Sequence, residues 1–289
     1  MGALGSMKMA GNTRDVQTEN GDLKPLVVAI ETSSRIGSVA LAAGHDLLGQ
    51  ATFSAPLRHS AELFPAIVRL LSQSGYGPSD LNQVHISVGP GSFTGLRIAV
   101  AAAKAMHLAN GVRIVTVDSL DAIAANVTDA SPGKAFQDIA GESAAQRHLA
   151  TVLDAKRGQF CTTVYEWIPG NQGPRPAPET SDADYGIPAP AGGLWHKVLP
   201  DCLMSATDLC DRFANTDNPI LMTGDGLLYH HDRFAVEGVR ILDPIFWTPQ
   251  AAGIHLLGRQ KASRDRFADP LSLVPFYLRG PEVTLRKRT

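Results

Sequence analysis

A chain of 289 residues, 44% of them hydrophobic, can bury a large core either as two domains or as one two-lobed domain. Its 26 Lys and Arg against 28 Asp and Glu leave a formal net charge of -2, which argues against a protein that grips nucleic acid by its own electrostatics. No apolar run approaches the roughly 20 residues that span a bilayer, and the N-terminus has no apolar signal core, so a soluble cytoplasmic protein without membrane contact is expected.

Residues 1–24 are polar, glycine-bearing and without periodicity, and are set aside as a disordered tail or an expression remnant. A first α/β lobe is expected over 25–128. "PLVVAIETS" is a continuous apolar run suited to a buried strand, and "GSVALAAG" and "LLGQATFS" follow at hairpin distance. Over 60–73, Leu63, Phe64, Ile67, Val68, Leu70 and Leu71 recur at helical spacing until "SGYGPSD" ends the pattern. "VHISVG" reads as a strand, 92–110 as a long helix, "RIVTVD" as a strand and 119–127 as a short helix, giving the order βββαβαβα. The Ser, Pro, Gly, Gln and Asp of 128–147 mark a lobe boundary, and a second α/β lobe is expected over 129–289. There "HLATVLDA" and "FCTTVYEWI" pair around Lys156-Arg157-Gly158, and 171–193 is a Pro/Gly-rich irregular insertion. "TDLCDRFA" predicts a helix, "PILMTGDG" a strand entering a loop and "TPQAAGIHLLGRQKAS" a helix, before "LVPFYLRGPEV" closes the chain. The second lobe thus repeats the first, which predicts two similar α/β lobes around a cleft.

The most unusual segment is Gly89-Pro90-Gly91-Ser92-Phe93-Thr94-Gly95, which either receives an anion at a helix N-terminus or only aims the helix. The Walker pattern needs Lys and Ser or Thr after the last glycine, where Leu96 and Arg97 stand, and G-x-G-x-x-G has one residue fewer than this segment. Ser92 is no nucleophile elbow either, because Pro90 and Thr94 occupy the places of its flanking glycines; it reads as an N-cap. A structural role, a tight turn that launches the helix, is expected. That helix carries polar groups only at Arg97, Lys104 and His107 around an alanine-rich apolar surface, so it needs cover on two sides: its own sheet, and either the 60–73 helix or another subunit.

Metal and nucleophile chemistry find little support. No H-x-x-x-H pair occurs; His230 and His231 are adjacent and read as a solvated pair, with Asp225 and Asp232 nearby as the alternative ligands. His59 reads as a helix-start residue rather than a general base. Cys161, Cys202 and Cys210 form no C-x-x-C pair and cannot all be bridged within the chain, which suits buried thiols in a reducing compartment.

"VVAIETSSRIGSVAL", "HSAELFPAIVRLL", "SVGPGSFTGLRIAVAAAKAM", "VDSLDAIA", "VLDAKRGQF" and a final "FYLRG" occur in the order and spacing of the TsaB family, also called YeaZ, which the chain resembles strongly over 26–158 and weakly beyond. The resemblance implies an actin-like ATPase fold, that of sugar kinases, heat-shock proteins and actin. It implies a non-catalytic subunit of the bacterial complex that puts threonylcarbamoyl on the adenosine beside the tRNA anticodon. The implied partners are a TsaD-like, glycoprotease-like catalytic paralogue, a TsaE-like ATPase and, when alone, a second copy of the chain, with tRNA met only through the complex and no cofactor or metal. The first-lobe helices would supply the partner face, at Phe64, Val68, Phe93, Arg97, Val100, Ala103, Lys104 and His107.

An active protein of this fold carries Asp-x-Gly-Thr/Ser after its first strand, where this chain has Glu31-Thr32-Ser33-Ser34, and a glycine-rich hairpin opposite, where it has Asp154-Ala155-Lys156-Arg157-Gly158. Tight ATP binding is expected to be lost, leaving Glu31, Thr32, Ser33, Lys156 and Arg157 as a residual anion or nucleotide site. The alternative is an active enzyme of the same fold, an ATP-dependent carbamoyl- or phosphotransferase or a metallopeptidase-like protein.

Overall fold

The structure, a computed structural model, describes residues 16–17, 23–56, 58–128, 148–172, 186–189 and 192–279. Most of the N-terminal segment set aside above lies outside these, but β1 (Val16–Gln17) and β2 (Leu23–Lys24) pair antiparallel within it.

The first sheet follows from an apolar run with small residues on one face. In β3 (Leu26–Glu31), Leu26, Val28 and Ile30 point to an outer core while Ala29 points to the other face, as the period of two requires. β4 (Ser38–Ala43) and β5 (Asp46–Thr52) complete an antiparallel meander, and β6 (Gln83–Gly89) and β7 (Arg113–Asp118) add in parallel, giving the order β5-β4-β3-β6-β7. The crossovers are α1 (His59–Gln73) and α2 (Phe93–Asn110), both packed on the outer core, and α3 (Ser119–Ala124) follows β7. The Ser92 hydroxyl accepts from Gly95 N at 3.3 Å as the N-cap of α2, and Gly111 ends the helix at φ 70°. Asp118 caps α3 by accepting from Leu120 N at 2.7 Å.

The second sheet repeats this plan. β8 (His148–Asp154), β9 (Gln159–Pro169) and β11 (Gly193–Ser205) form the meander, β12 (Ile220–Thr223) and β13 (Val239–Ile241) add in parallel, and the short β10 (Ile187–Pro188) extends the edge. β11 has no counterpart in the sequence reading: Pro200 and Asp201 fall where its register with β9 shifts, between Leu199 and Cys202, so the alternation that marks a strand is broken. Residues 173–185 and 190–191 of the expected insertion lie outside the described residues, while β10 and the start of β11 show that part of 171–193 is strand. α4 (Ala206–Phe213) and α5 (Leu227–His230) cover the outer face of this sheet.

The lobes share a third core. α6 (Ala251–Ala262) follows the second sheet but lies on the inner face of the first, against β3, β4, β6 and β7, where Ala29 and Ala40 leave room for it. α3 in turn packs on β8. After α6 the chain stays with the first lobe: Ala268 bridges to Ile114, Leu273 enters the outer core, and Phe276 N donates to Val88 O at 2.7 Å. A buried charge cluster also sits at the junction. Lys197 Nζ lies 2.7 Å from Asp121 Oδ1 and 2.8 Å from Asp201 Oδ1, and the Tyr165 hydroxyl donates to Asp121 at 2.6 Å.

Candidate functional site: the interlobe cleft and the outer helix face

Between the lobes lies a cleft of about 500 Å³. The first lobe contributes Ser33, Ser34 and Arg35 from the β3–β4 turn and Pro90 to Phe93 from the glycine segment, while the second contributes the β8–β9 hairpin, Asp225 and Tyr229. Tyr277, Leu278 and Arg279 close one end.

The glycine segment is held against the β3–β4 turn. Ser92 N donates to Ser33 O at 2.6 Å, and the Thr32 hydroxyl donates to Gly95 O at 2.7 Å. A side chain at Gly91 would overlap the Ser33 carbonyl, one at Gly95 the Thr32 carbonyl, and one at Gly89 the Phe276 carbonyl. The glycines therefore admit protein backbone where a phosphate-binding loop would admit phosphate. Glu31 serves the same turn: its Oε1 accepts from both the amide and the hydroxyl of Ser33 at 2.5 Å, while Oε2 is buried without a partner and burial raises the carboxyl pKa. His59 is buried, not poised as a base; its Nε2 bonds Ser34 O at 3.1 Å, and burial lowers its pKa.

On the opposite wall, Lys156, Arg157 and Gly158 are all left-handed, with φ of 66°, 56° and 74°. Two non-glycine residues in that region store strain that the hairpin offsets through Asp154, which accepts from Lys156 N at 2.8 Å and from its Nζ at 2.5 Å. Burial pushes the Asp154 carboxyl up, but the hydrogen bonds and charge of Lys156 outweigh it and hold its pKa low. Lys156 thus spends its charge on Asp154, and Arg157 faces an adjoining shallower hollow. Arg279 Nη1 donates to Ala155 O at 2.8 Å and its other arm to Gln159 Oε1. Burial, then the charges of Asp154 and Glu31, push Asp225 up to about 7. His231 and Asp232 are exposed, His230 lies 3.8 Å from Asp154, and among the described residues no three His, Cys, Asp or Glu side chains gather as metal ligands.

Of the residues the sequence singled out, Ser33 and Lys156 line facing walls of the cleft, Glu31 and Thr32 are buried behind the first wall, and Arg157 lines the adjoining hollow. The structure adds Arg35, Tyr277 and Arg279, which lie in the quoted segments "VVAIETSSRIGSVAL" and "FYLRG" without having been singled out, Asp225 of the "TGDG" loop, and Tyr229, which no local pattern announced.

The outer helix face departs from expectation at two positions. Val100 is 7% exposed and Ala103 is fully buried, both inside the first-lobe core, so neither is available to a partner. At 100° per residue, Leu96, Ala99, Val100, Ala103 and Met106 face the sheet, whereas Phe93, Arg97, Ala101, Ala105 and Leu108 face out. Phe64 and Val68 of α1 are exposed at 47% and 57%, beside α2. The Arg97 guanidinium lies 3.7 Å above the Phe93 ring, whose other neighbour is Tyr277 at 5.0 Å between centroids. Lys104 and His107 are half-buried, and His107 Nδ1 bonds Val112 O at 2.9 Å.

Two lobes of matching topology with exchanged helices around a cleft define a protein of the actin-like ATPase fold. YeaZ from Pseudomonas aeruginosa superposes with a TM-score of 0.63 at 19% identity over 88% of this chain and all of that one. The TsaB proteins of Bacillus subtilis and Escherichia coli are 26% and 29% identical, each over nearly nine-tenths of this chain and 95% and 94% of theirs. Residues 54–171 match the family model "TsaD: tRNA N6-adenosine threonylcarbamoyltransferase". The chain is thus similar to the TsaB (YeaZ) proteins over most of its length.

Proposed function

We propose that the chain acts in tRNA threonylcarbamoyladenosine biosynthesis, the process for which its TsaB relatives are named, and that it does so as a non-catalytic assembly subunit in the cytoplasm. The observation that carries the second half is the sealing of the phosphate turn. Gly91 and Gly95 are occupied by the backbone of Ser33 and Thr32, Lys156 is committed to Asp154, and Asp225 adds a carboxyl where a triphosphate would need cations. A cleft so arranged does not hold Mg²⁺-ATP tightly.

The working surface is then the outward stripe of α1 and α2. Phe64, Val68, Phe93 and Leu108 are large apolar groups left exposed beside Arg97, and such a patch marks an interaction site. The same stripe serves a homodimer in isolation and a TsaD-like paralogue in the complex, with a TsaE-like ATPase joining the assembled pair and tRNA bound by the assembly. Reconstitution of tRNA modification with the TsaD-like and TsaE-like proteins, with and without this chain, tests the reading. Dependence on the chain supports it. Steady ATP hydrolysis by the isolated chain, abolished by Glu31→Ala, would replace it with the enzyme reading.

A further inference from the structure

The cleft holds two groups of opposite sign, Asp225 and Arg35, that attract one another across it but form no hydrogen bond or ion pair among the described residues. Asp225 stands between Gly224 and Gly226 at the end of β12; its carbonyl accepts from Leu228 N at 3.1 Å, but its carboxyl has no hydrogen-bond partner among the described residues. Arg35 enters from the opposite lobe, and its guanidinium lies 5.4 Å above the Tyr229 ring without a carboxylate partner among the described residues. The other two cations of the cleft are engaged, Lys156 by Asp154 and Arg279 by Ala155 O and Gln159. A carboxyl facing only a cavity costs free energy unless something arrives to meet it, while the exposed Arg35 guanidinium, resting on an aromatic face, stays free to meet an anion.

Between these charges the walls are apolar, formed by Phe93, Leu153, Tyr277 and Leu278. The cavity, about 500 Å³, falls within the range of sites that enclose small molecules. A purely anionic ligand would bring its charge against Asp225 and Asp154, and a purely cationic one would meet Arg35, Lys156 and Arg279. A molecule carrying one charge of each sign, with an apolar remainder, satisfies both ends and fills the middle.

We infer that this cleft binds a small zwitterion, a free α-amino acid with a large apolar side chain, its ammonium on Asp225 and its carboxylate on Arg35. The cleft and the outer helix stripe meet at Phe93, whereas Phe64, Val68 and Leu108 of the stripe lie outside the cleft.

The test is calorimetric titration of the full chain with each of the twenty standard amino acids. L-phenylalanine is compared directly with phenethylamine, which lacks the carboxylate, with 3-phenylpropanoate, which lacks the ammonium, and with Mg²⁺-ATP. An apolar amino acid is expected to bind at least about tenfold more tightly than either one-charge analogue, and both Arg35→Ala and Asp225→Asn are expected to weaken it by about tenfold or more. Circular dichroism of the two variants establishes that they remain folded. No heat from any amino acid at about 10 mM, a concentration at which a millimolar site would be largely filled, overturns the inference. So does binding of an amino acid that ignores both substitutions, or tighter binding of Mg²⁺-ATP than of any amino acid.

Discussion

Replacing Asp225 with Asn gives a direct measure of how unwelcome a charge is on the cleft floor. Burial and the neighbouring carboxyls of Asp154 and Glu31 move Asp225 from an ordinary 3.8 to about 7. At 1.36 kcal/mol per unit, a shift of about three units corresponds to ~4 kcal/mol. Because the carboxyl opens onto the cleft, water there relieves part of this, and we take ~2 kcal/mol as the working figure. The sign follows from proton binding. Below pH 3.8 both folded and unfolded chains hold the proton and the stabilising contribution is complete; as pH rises toward 7 the unfolded chain releases it first, so stability falls, and above about 7 the loss levels off. The Asn variant has no such proton. Urea denaturation at intervals from about pH 4.5 to 8 should therefore show the variant gaining on the parent by ~2 kcal/mol, most of it below pH 7. The slope of that difference matters, since any fixed effect of the amide cancels. A flat difference, or a parent that gains on the variant as pH rises, would mean that Asp225 is ionised and partnered in the folded protein, and the account of the cleft above would fail with it.

Five other substitutions test three separate parts of the structure. Gly95→Ala should destabilise by about 3 kcal/mol or more, because its methyl would overlap the Thr32 carbonyl, whereas Gly77→Ala, with its nearest non-neighbouring atom 3.7 Å away, should change melting little. Lys197→Met should cost about 3–5 kcal/mol in chemical denaturation by leaving Asp121 and Asp201 buried without their cation; an unchanged midpoint would show that the cluster is dispensable. Val68→Glu should leave the melting curve intact while abolishing self-association in light scattering, and Val100→Glu should unfold the chain, since one side chain is 57% and the other 7% exposed. If Val68→Glu still associates and still supports tRNA modification, the partner face lies elsewhere.

The first lobe was legible because its elements are local and strongly patterned. "PLVVAIETS", the 60–73 periodicity and Ser92 before an alanine-rich run each specify their element without help, and the structure places them within a residue or so. β11 was not legible because its register shifts around Pro200 and Asp201 interrupt the period of two, and only pairing with β9 makes it a strand. The charge cluster around Lys197 was equally hidden, since Asp121, Tyr165 and Asp201 come from separate elements. In the cleft, loss of the phosphate motifs could be read from the sequence, but the cause could not. Nothing local indicates that Gly95 exists for the Thr32 carbonyl, 63 residues away in sequence, a relation that Thr32 also enters through its hydroxyl bond to Gly95 O.

The outer helix shows where pattern reading reaches its limit. A helix made almost wholly of Ala, Val, Ile and Met has so little polarity contrast that its sequence says cover is needed on two sides without saying which residues face which. Packing decides it: Leu96, Val100, Ala103 and Met106 meet the sheet, and the outward stripe is left with small alanines at 101 and 105 between Phe93 and Leu108. Small residues flanked by large apolar ones let another helix approach closely and repack against different partners. The alanines that blurred the pattern are thus what make an exchangeable interface physically reasonable. The outward alanines can also be filled without disturbing the fold, whereas the inward ones cannot, so the core role of this one helix and its proposed docking role are separable by substitution on its opposite faces.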